Sequence, residues 1–218
     1  MITKKGQSIE DKSMEIIENE IGSHSYNEKE WPIVRRVIHA TADFDFARQN
    51  LIVFHKNAIS SGINALENGC NIIVDVNGVI GGLNKENLKE FGNKAICNIS
   101  DSNIIEQAKK LNKTRAQTSM RMVASEMNGG VVAIGNAPTA LLEVVQMIRE
   151  NVTRPALVVG IPVGFVCAVE SKEELQTLNI PYITNKGRKG GSPCASAIVN
   201  ALFKILKNNQ MAKSLPIR

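Results

Sequence analysis

Five short apolar, β-branched runs recur along the chain: NIIVDV (71–76), AICNIS (95–100), VVAIGN (131–136), ALVVGI (156–161) and PYITN (181–185). Each is continuous rather than alternating, the pattern of a strand covered on both faces. Helical spacing fills the stretches between them. Residues 86–91 make a short helix, 104–111 follow Asp101 and Ser102 as cap candidates, and 138–149 open on a proline suited to a first turn. Val199, Leu202, Phe203 and Leu206 form an i, i+3, i+4, i+7 stripe on a helix beginning near Pro193. This alternation predicts a parallel five-stranded sheet, doubly wound, with helices on both faces over residues 71–207. Residues 1–70 read differently, as a helical extension: a helix over about 9–21, a turn with Gly22 and His24, a helix over about 28–38, a link, then a helix to Gly69. Residues 208–218 read as a tail. With no linker, repeat or low-complexity run, 1–218 is expected to form a single domain.

Composition closes off several functions. With 218 residues, 43% of them apolar, a core needs no disulfide or structural metal. Aromatic residues at 4% do not suit a stacking platform for nucleic acid. The uncharged stretch 156–169 is interrupted by Gly160, Pro162 and Gly164 and is too short to cross a bilayer, so it is expected to be a buried strand and turn. The first residues hold Lys4 and Lys5 without a following apolar block, so no signal peptide is expected and the cytoplasm is the expected location. Cys70, Cys97, Cys167 and Cys194 include no CxxC pair and no Cys/His cluster; no metal site is expected, and the four read as small buried hydrophobes.

The formal net charge is +5, and its placement is uneven. Residues 186–218 hold Lys186, Arg188, Lys189, Lys204, Lys207, Lys213 and Arg218 and no acidic residue. From Lys204 onward this reads as a solubilising helix and tail. Lys186-Gly-Arg-Lys-Gly-Gly-Ser192 reads otherwise: a strand ends, a flexible loop with three cations follows, and a helix begins with its positive dipole end towards the same space. That combination suits an anion.

Ligands of an open parallel sheet bind beyond the carboxyl ends of the strands. Three further glycine-bearing segments fall there: 77–82, 135–138 and 162–164. None matches a nucleotide fingerprint. Thr114 and Gln117 fit a capping box, which puts Arg115 in a first turn, where a cation opposes the helix dipole. His39 falls at a helix end beside Asp43 and Asp45, and the dipole there predicts a raised pKa. A lone histidine in such a place is more often a cap or a satisfied polar group. His24 and His55 have weaker claims to function.

Taken in order, Ser13-Met-Glu-Ile-Ile17, Arg36-Val-Ile-His-Ala-Thr-Ala-Asp43, Asp75-Val-Asn77, Thr114-Arg115, Ile134-Gly-Asn-Ala-Pro-Thr-Ala-Leu141, Gly164-Phe-Val-Cys-Ala-Val-Glu-Ser-Lys172 and Gly187-Arg-Lys-Gly-Gly-Ser192 resemble the precorrin-8X methylmutase family, including its cobalt-precorrin-8 branch. The resemblance spans roughly residues 8–207. It implies a flavodoxin-like α/β/α sandwich and a homodimer with the active site near the interface. It implies no added cofactor; the few aromatics, the missing nucleotide fingerprints and the short apolar stretches lead us to expect no nucleic-acid or membrane partner. The implied reaction moves a methyl group from carbon 11 to carbon 12 of a corrinoid ring, giving hydrogenobyrinic acid or cobyrinic acid. His39 is implied as proton donor and acceptor, and Ser13 and Arg115 as substrate contacts. Asn77, Asn136, Lys186, Arg188 and Lys189 fall on the loops expected to hold the ring's carboxylates, with Val79, Met120 and Phe165 as an apolar floor. Two other readings share parts of this pattern: a corrinoid carrier without turnover, and a nucleotide- or nucleic-acid-binding domain using the basic tail.

Overall fold

The computed structural model describes residues 3–214; Arg218 and the last residues of the expected tail lie outside the described residues. In chain order the elements are α1 (Lys4–Ile21), α2 (Trp31–Thr41), α3 (Asp45–Arg48), β1 (Ile52–Phe54), α4 (Ala58–Glu67), β2 (Asn71–Val74), α5 (Asn77–Gly82), α6 (Lys85–Phe91), β3 (Lys94–Ile96), α7 (Ser102–Lys110) and α8 (Arg115–Met122). A 3₁₀ turn (Ala124–Met127) precedes β4 (Val131–Ile134), α9 (Pro138–Arg149), β5 (Leu157–Gly160), α10 (Ala168–Gln176), β6 (Tyr182–Asn185) and α11 (Ser192–Ser214).

The strands form one sheet in the order β1-β6-β5-β4-β2-β3. The five strands expected from the apolar runs are all present and all parallel. The sheet nevertheless has six strands, not five. The sixth, β1, lies in the segment expected to be link and helix, and it pairs antiparallel with β6, Ile52 opposite Asn185 and Phe54 opposite Ile183. A three-residue edge strand is too short to show a period of two. Tyr26 secures it: its hydroxyl accepts from Ile52 N at 2.9 Å and donates to Phe46 O at 3.0 Å.

Side chains leave the parallel strands alternately to two cores. Ile72, Val74, Val131, Ala133, Leu157, Val159 and Ile183 face the core that buries apolar residues of α1, α2, α4, α5 and α11. Ile73, Val132, Ile134 and Val158 face the other, with Met120 of α8, Val144 of α9 and Leu175 of α10. Val79 and Met120 are fully buried in these cores, so neither forms part of a ligand floor. Of the cysteines, only Cys194 is buried; the other three are half-buried. Within 156–169, Leu157–Gly160 is a buried strand, as expected, but the turn that follows it is not buried: Phe165 is 85% and Val166 80% exposed.

The strand order reverses between β2 and β4, because β3 lies to one side of β2 while the chain crosses to β4 on the other. Crossings of this kind leave a crevice at the carboxyl ends of the two strands. Edge strand β1 runs against its neighbour, so its beginning lies at that same end of the sheet. Leu51 O accepts from Lys186 N at 2.9 Å there. The corner between α2 and β1 is thus carried to the end of the sheet where the glycine loops gather.

Candidate functional site

Asp75, at the carboxyl end of β2, is fully buried. Its Oδ1 accepts from Gly135 N at 3.0 Å, and its Oδ2 from Asn136 N at 2.8 Å and Ala137 N at 2.7 Å. Burial pushes its pKa up and the three backbone donors oppose this. One carboxylate therefore fixes the loop leading from β4 into α9 across the point where the strand order reverses. Thr139, in the first turn of α9, shares a 3.0 Å hydroxyl contact with Thr114. Thr114 closes the expected capping box, accepting from Gln117 N at 3.1 Å and donating its N–H to Gln117 Oε1 at 3.2 Å. Arg115 thus begins α8 next to this loop, exposed, in the first turn as expected. Behind it, α8 is pinned to α9 by Arg121, whose Nε lies 2.5 Å from the buried Glu143.

The loops close on the start of α11. A Cβ added to Gly135 would stand 2.8 Å from Ser192 Cα, so only glycine lets the two backbones meet. Gly190 comes closer still: a Cβ there would lie 2.2 Å from Ile161 O, and its φ of 145° disfavours any side chain. Asn77 and Asn136 open onto this end of the sheet and are exposed.

In the 186–192 loop, Lys186 and Arg188 are exposed, and among the described residues neither makes an ion pair. Arg188 lies over the Phe165 ring at 5.6 Å from its centroid, a cation–π contact that joins this exposed aromatic residue to the basic loop. Lys189 was expected beside them as a third free cation. It is instead engaged: its Nζ lies 2.9 and 2.8 Å from the two oxygens of Asp43 and 2.5 Å from Asp45 Oδ2. These bonds raise the pKa of Lys189, and the bond from Lys189 holds Asp45 below the usual carboxylate range.

That ion-pair cluster ties the basic loop to the corner that carries His39. In α2, Ile33, Val34, Val37 and Ile38 face the core, which turns Arg35, Arg36 and His39 to the other side. There α1 meets them. Glu18 binds Arg35 and the Trp31 Nε1–H, and Glu10 binds Arg36 at 2.7 Å. Ser13 lies one helical turn from Glu10, its hydroxyl donating to Ile9 O at 2.8 Å.

His39 is half-buried, and its pKa is lowered rather than raised. Desolvation is the main cause, the Arg36 charge adds to it, and Glu10 opposes. Burial thus overrides the helix-end dipole expected to raise it. The other histidines serve structure. His24 stacks on Trp31 at 3.9 Å, and His55 Nδ1 accepts from Asn57 N at 3.3 Å.

Sequence reading missed four contributors: Asp75 as loop anchor, Asp43 and Asp45 as partners of Lys189, and the buried Lys172, whose Nζ donates to Gly187 O and Lys189 O at 2.9 and 2.7 Å. The anchoring role of Asp75 is signalled only by its place at a strand end, and the other contacts join residues far apart in sequence.

These features define a class: a doubly wound α/β protein with exposed cations and a helix start at the carboxyl edge of its sheet. Comparison with known proteins makes the assignment specific. The family model for precorrin-8X methylmutase matches residues 8–205, and the chain belongs to that family. It is 51% identical over 210 residues to a cobalt-precorrin-8 methylmutase of Leptospira interrogans, covering 93% of this chain and 94% of that protein. A precorrin-8X methylmutase of Sinorhizobium is 34% identical, covering 92% and 95%. The crystal structure of a precorrin-8X methyl mutase from Thermus thermophilus superposes with a TM-score of 0.87 at 39% identity, over 94% of this chain and 98% of that one.

Proposed function

We propose that the chain is an isomerase of cobalamin biosynthesis, moving a methyl group from carbon 11 to carbon 12 of precorrin-8X or cobalt-precorrin-8 to give hydrogenobyrinic acid or cobyrinic acid. The observation that carries the reading is the Lys189 link to Asp43 and Asp45, which joins the basic 186–192 loop at the sheet's carboxyl edge to the corner bearing His39. The substrate is a large apolar ring edged by carboxylates. Arg188, Lys186 and Arg115 take rim carboxylates, Asn77, Asn136 and Ser13 take polar edge groups, and Phe165 with Val166 lies against the ring face. Lys189 orders the loop from within the Asp43–Asp45 cluster.

A methyl shift between neighbouring ring carbons needs no nucleophile. An acid that protonates the conjugated ring makes it electron-poor, and a rigid bed holds the migrating group over its destination. His39 is that acid and takes the proton back afterwards. Its lowered pKa leaves it neutral in the free chain near pH 7. A polycarboxylate bound beside it raises that pKa, so the substrate loads its own acid.

The edge is open in a single flavodoxin-like chain, with Phe165 and Val166 unsheltered. A homodimer with the site near the interface would cover it. We place this pathway step in the cytoplasm, a reading with which the lack, among the described residues, of a helix long and apolar enough to cross a membrane agrees. The chain is expected to work without an added cofactor.

The decisive experiment is turnover by His39→Ala, followed by the absorbance change of the ring, together with titration of the variant by cobyrinic acid. Turnover should vanish while binding stays within a few-fold. Turnover at the wild-type rate would sink the assigned role of His39, and binding without turnover by the wild-type chain would make it a carrier.

A further inference from the structure

The 186–192 loop is held from beneath by a charge that, among the described residues, no carboxylate pairs with. Lys172, on α10, is only 1% exposed, yet its ammonium donates to two backbone carbonyls of that loop, Gly187 O and Lys189 O. Asn185 supports the same segment, its amide donating to Lys186 O at 3.0 Å and Lys189 O at 2.8 Å. The carbonyls at 187 and 189 flank Arg188, so their anchoring turns the Arg188 side chain outward over Phe165.

The surrounding titratable groups leave Lys172 uncompensated. On α11, the Cys194 thiol is pushed up to about 12 by burial and is neutral. In the loop, the Lys189 ammonium is turned to Asp43 and Asp45. On α9, Glu143 is held by Lys113 and Arg121, and Arg149 by Glu174 of α10 itself. On β6, Tyr182 is shifted further from ionisation by burial. Desolvation accordingly draws the Lys172 ammonium down to about 8. A buried cation without a countercharge costs stability, and a neutral donor would satisfy the same two carbonyls. Its positive charge is explained if an anion binds above it.

We propose that Lys172 is a positioning residue of the anion site, fixing the backbone on both sides of Arg188 and adding a buried positive charge under the bound carboxylates. The inference rests on the corrinoid reading for its ligand but not for its effect on the loop.

Two measurements test it on the full chain. In Lys172→Met, hydrogen exchange at the amides of residues 187–191 should quicken at least tenfold, with the β4 and β5 amides unchanged; cobyrinic acid should bind at least tenfold more weakly, and KM should rise far more than kcat falls. Calorimetry in buffers of different ionisation enthalpy supplies the readout that a structural strut would not move. At pH 8 the wild-type chain should take up protons on binding cobyrinic acid, because the ligand's charge favours the Lys172 ammonium, and Lys172→Met should take up measurably fewer, any remainder belonging to His39. Unchanged loop exchange and affinity in a folded Lys172→Met would overturn the proposal, as would exchange quickened equally throughout the sheet. If the variant does not fold, absence of proton uptake by the wild type at pH 8 overturns it instead. Failure of both proteins to bind cobyrinic acid refutes the corrinoid reading alone, since loop exchange still decides whether Lys172 fixes the loop.

Discussion

At the scale of single residues, the site separates cations that are free from cations that are spent. Arg188 has no carboxylate partner among the described residues, so its charge is available to a ligand. Replacing it by Ala should weaken cobyrinic acid binding by roughly 1–3 kcal/mol, the worth of a charged hydrogen bond, which a spectroscopic titration would resolve. Lys189 is spent on Asp43 and Asp45, in a cluster that is part-exposed and so of small worth to the fold. Asp43→Asn should therefore leave the melting temperature nearly unchanged while raising KM, through loss of the tie between loop and His39 corner. His39 adds a pH dependence with a definite sign. Its pKa in the folded chain lies below its unfolded value, so the folded state holds fewer protons in that interval. Its contribution to stability is complete above about pH 6.5, the unfolded value, and is lost as pH falls through the folded pKa. Denaturant midpoints of the wild type and His39→Gln should then diverge on acidification from neutral pH, and parallel midpoints would contradict the shift. The position of His39 at a helix end was legible in the sequence. Its electrostatic surroundings were not, since Arg36 and the covering helix α1 act through tertiary packing that helix-end rules do not contain.

At the scale of elements, the glycines state where backbones meet. Gly190 packs against Ile161 O with a φ few side chains tolerate. Gly190→Ala should thus destabilise by about 1–3 kcal/mol from backbone strain alone and loosen the basic loop, visible together as a lower unfolding midpoint and a higher KM. The five parallel strands were legible because both of their faces are covered and their apolar runs are unbroken. The Thr114 capping box and the helix starts at Pro138 and Ser192 were legible because caps are local chemistry. Strand β1 was not, because Ile52, Val53 and Phe54 owe their conformation to pairing with β6 and to the Tyr26 hydroxyl, both distant in sequence. That omission bears on function, since β1 is the element that carries the His39 corner to the ligand edge.

At the scale of the whole molecule, the sheet works as a frame with one active end. The order reversal between β2 and β4, the antiparallel entry of β1 and the start of α11 all deliver backbone to the carboxyl edge. The N-terminal helices share the core of the sheet rather than forming an appendage, and the Lys189 ion pairs with Asp43 and Asp45 tie the loop after β6 to the end of α2. The most direct measurement of this account is a crystal structure of the chain with cobyrinic acid bound. It should show the macrocycle on the carboxyl edge, with the His39 imidazole in hydrogen-bonding reach of the ring or one water away, and rim carboxylates on Arg188 and Arg115. A macrocycle seated elsewhere, or an imidazole remote from it with nothing between, would contradict the central claim.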